Sequence, residues 1–135
     1  MKALFWLFCI FMVANGLWML VAPDSWYSEL PARVPDTGPF NSHFVRDVGV
    51  TFAVLGAGFG WCAANLERCY PVYLGLTAWF AGHAAVHAAD IIAGRLPHAH
   101  WGVDALPVFL PTALLLALSF PPAWRRAMRR YGLVA

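Results

Sequence analysis

Apolar and polar positions alternate along this chain in long blocks. Four apolar runs occupy about residues 3–22, 42–65, 71–94 and 105–120, and most of the charged residues fall between or beyond them. A helix needs about 20 apolar residues to cross the hydrocarbon layer of a bilayer, and the first three runs reach that length. The pattern predicts an all-α, polytopic membrane protein, with residues 1–135 forming one domain, a four-transmembrane-helix bundle.

The boundaries carry local signals. The first run, Ala3 to Ala22, outlasts the roughly 7–15 apolar residues of a cleavable signal core and ends in aromatic and proline residues, so it reads as a retained span. Asp24 to Leu30 suits a short interfacial helix that dips Trp26, Tyr27 and Leu30 into lipid. A loop follows, with Asp36-Thr37-Gly38-Pro39 as its turn. Asn41 or Ser42 caps the second span. Gly49, Ala53, Ala57 and Gly60 recur within that span, and Gly56 and Gly60 form a small-xxx-small pair that allows close helix approach. On the third span Ala78, Ala81, Ala85, Ala88 and Ala89 lie roughly opposite His83 on the helical wheel. These small-residue faces suit a membrane protein partner or a homo-oligomer. Pro107 and Pro111 bend the fourth span, and Pro121-Pro122 stop it.

Composition supports the membrane reading. The chain is 61% hydrophobic and 12% charged, about half the charge of a soluble domain. The net charge of +2 does not indicate nucleic acid, because the basic residues gather at a membrane flank. Arg125, Arg126, Arg129 and Arg130 place the C-terminus in the cytoplasm, and four spans then return the N-terminus to the same side, with Lys2. Cys9, Cys62 and Cys69 fall toward the inner half. Their spacing is not a zinc signature, so they read as packing thiols.

The candidate chemistry lies in the third span. His83, His87 and Asp90 occupy an arc of roughly 60° on one helical face, at about 100° per residue. Ionisable residues at membrane depth are costly, and they mark function by default. The topology puts them in the outer half, level with His43 and Asp47 of the second span, Asp104 at the start of the fourth and Asn15 of the first. His43, Asp47, His83, His87, Asp90 and Asp104 are therefore candidate ligands, direct or through a second shell, of a divalent transition metal such as zinc, iron or copper. Arg46 and Asn15 are candidates for binding a cofactor or an anionic ligand. Arg46 also suits an ion pair or a lipid phosphate, and Asn15 an interhelical bond. His98 and His100 read as solvated loop residues.

Several functions fit these residues. One is a membrane oxidoreductase or metal-dependent enzyme acting on a small or lipophilic substrate. Others are a haem or quinone protein, an acid–base enzyme without metal, and a non-catalytic accessory or assembly subunit of a larger membrane complex.

The stretch His43-Phe44-Val45-Arg46-Asp47-Val48-Gly49, followed by Gly56 to Gly60, resembles the start of the second helix in small four-helix DoxX-like bacterial membrane proteins. Arg46 and Gly49 carry the match. The resemblance implies a bacterial inner-membrane protein attached to a redox or oxidative-stress system. The His83-to-Asp90 motif lies outside that pattern.

Overall fold

The computed structural model describes residues 1–130 and Gly132, and among these the secondary structure is entirely helical. The main helices are α1 (Lys2–Val21), α3 (Ser42–Ala64), α4 (Tyr70–Ile92) and α6 (Leu110–Ser119). Three shorter ones complete the set: α2 (Pro23–Glu29), α5 (His100–Val103) and α7 (Pro121–Arg129). A 3-10 turn, Val34–Thr37, follows α2, and a π-turn, Ala105–Phe109, leads into α6. The four predicted runs therefore coincide with helical segments to within a few residues. Two helices, α1 and α3, are long and apolar enough to cross a membrane.

Proline and asparagine set the element ends. Pro23 opens α2 and pushes the preceding Ala22 out of helical geometry, to φ −136°, which terminates α1. Asn41 caps α3, its Oδ1 accepting from the Phe44 amide at 3.1 Å, as anticipated. Gly94, at φ 70°, supplies the left-handed residue that ends α4. The prolines of the fourth run widen it rather than merely bend it. Pro107 has no amide hydrogen to donate, and the Asp104 carbonyl accepts from both Val108 (2.9 Å) and Phe109 (3.0 Å), which makes the π-turn.

Helices α1 and α3 run antiparallel and touch backbone to backbone. A Cβ placed on Gly16 would lie 2.7 Å from the Gly49 carbonyl oxygen, and one on Gly56 would lie 2.9 Å from the Val13 amide nitrogen. Gly49, Gly56 and Gly60 of the second run are thus used inside the chain, against α1. The small residues of α4 are placed differently. Gly75, Ala78, Gly82, Ala85 and Ala89 are exposed, and a Cβ on Gly75 or Gly82 would meet nothing within 4 Å.

The core is an aromatic cluster at the end of the bundle that holds the first residues of α1. Phe5, Phe8, Phe59, Tyr73 and Phe80 interlock, with ring centroids 4.9 to 6.1 Å apart. Tyr73 donates to the Leu115 carbonyl and Tyr70 to the Ser119 carbonyl, which ties α4 antiparallel to α6. The segment after Pro121-Pro122 is not a simple flank. It folds into α7 and buries Trp124 against Tyr70 and Tyr73.

Candidate functional site: a buried histidine–aspartate chain

The antiparallel pairing of α4 and α6 brings the C-terminal half of α4 beside the start of the π-turn. His83 and His87 project from consecutive turns of α4. The His83 ring stacks on Trp79 at 5.0 Å, and the His87 ring meets it edge-on at 4.6 Å. Trp79 in turn packs edge-on against Phe52 of α3, at 5.6 Å.

Asp104 is the centre of the site. Its side chain is 2% exposed, and one oxygen, Oδ2, faces two imidazoles: His87 Nδ1 at 2.8 Å and His100 Nδ1 at 3.2 Å. His100 and Asp104 are one turn apart, so the short α5 aims both side chains into the same space. His100 is fully buried, and its other nitrogen, Nε2, faces Asp36 Oδ2 at 3.2 Å. Arg33, on the far side of the 3-10 turn, closes the chain with an ion pair to Asp36 at 2.9 Å. The Tyr27 hydroxyl donates to the Gly38 carbonyl at 2.6 Å and anchors this turn to α2. Arg33 itself holds φ 52°, a left-handed conformation unfavourable for a residue with a side chain.

The result is a continuous series, Arg33–Asp36–His100–Asp104–His87, running from an exposed loop to α4.

The far end of the series is open. Among the described residues no buried side-chain nitrogen or oxygen lacks a hydrogen-bond partner. Both ring nitrogens of His83 and the Nε2 of His87 make no hydrogen bond, so they reach the surface. A carboxylate that accepts from one imidazole nitrogen fixes the tautomer and makes the other nitrogen a better base and a better ligand. His87 is in that position.

The remaining sequence candidates lie elsewhere. His43 and Asp47 lie 3.4 Å apart on α3, with side chains 87% and 65% exposed. Asp90 pairs with Arg95 of the following loop at 2.7 Å. Arg46 is exposed and has no hydrogen bond or ion pair among the described residues. Asn15 accepts from Trp26 Nε1 at 2.7 Å, which folds α2 back on α1 and matches the interhelical role weighed for it. Among the described residues no three His, Cys, Asp or Glu side chains are grouped to hold a metal ion. His83 and His87 are two adjacent imidazoles with nitrogens free for one.

His100 overturns its reading as a solvated loop residue, since it has no exposed surface. Its spacing of four from Asp104 was the available signal. Asp36 had none, because it reaches His100 from 64 residues away in the chain. No family model, curated protein or solved structure matches this chain.

Proposed function

We propose that this is a multi-pass membrane protein in which the Asp104-backed imidazoles of His87 and His83 form an acid–base site for a small or lipophilic ligand. The membrane part rests on exposure. Only 28% of the 18-residue apolar stretch of α1 and 39% of that of α3 is buried within the chain. Trp6, Leu7, Ile10, Phe11 and Leu17 of α1 face outward, as do Val50, Val54 and Trp61 of α3. In water each large side chain of this kind forgoes about 1.5–3 kcal/mol of burial, and lipid removes that cost. In this reading α4 and the Ala105–Ser119 unit are the third and fourth spans, and Thr77 and Thr112 bond between them, to Ser119 and to the Phe80 carbonyl, instead of facing lipid. Charge supports the orientation. Lys2, Arg68, the three arginines of α7 and Arg130 share one end of the bundle with Glu67, while the other six carboxylates lie toward the opposite end with Arg33, Arg46 and Arg95.

The observation that carries the site is the 2.8 Å contact between His87 Nδ1 and the buried Asp104. It orients the imidazole and leaves Nε2 free to take or give a proton. The partner-free nitrogens on two adjacent rings support a second reading, in which His83 and His87 bind a divalent metal with Asp104 behind one of them.

Carbethoxylation by diethyl pyrocarbonate, mapped by mass spectrometry, tests the site. His87 and His83 are expected to react and His100 to stay protected. In Asp104→Asn the His87 rate is expected to fall by about tenfold, the low end of what loss of such a carboxylate costs. An unreactive His87, or an unchanged rate in the variant, refutes the assignment. Elemental analysis of the wild type against His83→Ala and His87→Ala separates the readings. Stoichiometric metal lost in both variants establishes the metal, and its absence from the wild type removes that reading.

A further inference from the structure

Helix α7 presents two unlike faces. Trp124 and Met128, one turn apart, are buried against the aromatic core, and Trp124 sits 4.8 Å from Tyr70, 4.9 Å from Tyr73 and 6.5 Å from Phe5. Those contacts fix the rotation of the helix. Arg125, Arg126, Arg129 and Arg130 consequently stay exposed on its other side. No carboxylate among the described residues pairs with any of the four. Three of them, Arg125, Arg126 and Arg129, line a cleft of about 400 Å³ whose remaining wall is Pro121 and Pro122. The prolines bring no amide hydrogens, so the guanidinium groups supply the donors.

We propose that this cleft holds the phosphodiester headgroup of an anionic phospholipid. The chemistry follows from charge and shape. A guanidinium offers a planar fork of donors that matches two phosphate oxygens, and three such groups on one helix face concentrate positive charge with no carboxylate partner among the described residues. The surroundings favour a lipid over free phosphate. Leu116 and Phe120, one turn apart on the segment that leads into α7, are exposed and apolar. A headgroup in the cleft therefore places its acyl chains along α6. Lys2 and Arg68 lie at the same end, so the site faces the leaflet that the positive-inside asymmetry assigns to the cytoplasm. The proposal rests on the multi-pass reading above and is independent of the histidine–aspartate chain.

The test is native mass spectrometry of the full chain in detergent. Delipidated protein is offered phosphatidylglycerol or phosphatidylcholine with the same acyl chains. Wild type is expected to retain phosphatidylglycerol preferentially. Each arginine-to-glutamine change at 125, 126 or 129 is expected to weaken retention by about fivefold, and the triple variant by about 100-fold. Arg95→Gln, which lies at the other end beside Asp90, should leave retention unchanged. The single variants carry the test if the triple one does not fold. Equal retention of the two lipids by wild type, or wild-type retention by all arginine variants, overturns the proposal. Displacement of the lipid by millimolar inorganic phosphate overturns the lipid assignment in favour of a free anion. Release of the chain from membranes by alkaline carbonate refutes the multi-pass reading and this proposal together. Membrane retention without lipid preference refutes this proposal alone.

Discussion

Asp104→Asn is the most direct probe of the buried chain. The substitution keeps the shape of the side chain, so it opens no cavity, and it removes only the charge and one acceptor oxygen. In the native protein one oxygen of Asp104 serves His87 at 2.8 Å and His100 at 3.2 Å. Hydrogen bonds to a charged group contribute about 1.5–3 kcal/mol each and neutral ones about 0.5–1.5, so weakening both contacts costs about 2–3 kcal/mol. Breaking a buried ion pair outright costs about 3–5 kcal/mol, which sets the upper end. We expect a loss of about 3 kcal/mol, within those limits. Equilibrium unfolding in mixed micelles with a rising fraction of SDS, followed by circular dichroism, measures it. Asp47→Asn is the matched control. It also removes a carboxylate beside a histidine, 3.4 Å away, but on an exposed face, and should stay within about 0.5 kcal/mol of wild type. A cycle combining Asp104→Asn with His100→Gln should show coupling above about 1 kcal/mol. If Asp104→Asn is no more costly than Asp47→Asn, the buried chain is not what holds α5 and the π-turn against α4.

Other expectations follow from packing and burial. Gly16→Ala forces a Cβ against the Gly49 oxygen at 2.7 Å and the Ala53 nitrogen at 2.9 Å, both backbone, and should cost about 1–3 kcal/mol in the same unfolding assay. Gly82→Ala meets open space and should instead stabilise by about 0.5–1 kcal/mol, so a shared sign for the two would contradict the α1–α3 contact. Burial raises the Cys69 thiol above its ordinary value of 9.0. The folded state then keeps its proton where the unfolded chain has lost it. That stabilisation is complete below the unfolded value and is lost as pH rises. Between about pH 8 and 10 wild type should lose more stability than Cys69→Ala, and equal losses would refute the reasoning.

Recognition of the site from sequence depended on the range of the contacts. Spacing along one helix was sufficient to put His83 and His87 together, because i and i+4 share a face whatever the rest of the fold does. It also put Asp90 on that face. A carboxylate near a helix end has a second option, the loop beyond, and Arg95 takes it at 2.7 Å. Asp104 was a candidate from its depth. Its two partners were not recognisable together, since His87 lies 17 residues away and His100 four. His43 and Asp47 show the reverse case. Their spacing is as good as that of His83 and His87, and they do approach each other to 3.4 Å, yet the rotation of α3 turns them outward. That rotation is set by Gly16, Gly49 and Gly56, whose close approach leaves α3 one way to face α1.

The sequence by itself determined the helical class, the four apolar segments, and their caps and breaks. These depend on local propensity and on the match between apolar length and helix rise, which act within a few residues. Only the tertiary structure decided which polar residues share the interior. That choice depends on helix rotation and on loop paths, such as the strained turn at Arg33 that carries Asp36 to His100. A buried carboxylate can be joined only by groups the packing brings within hydrogen-bond distance. Asp104 therefore recruits a histidine from α5 and, through it, an aspartate from the first loop, while equally ionisable residues a few positions away remain at the surface.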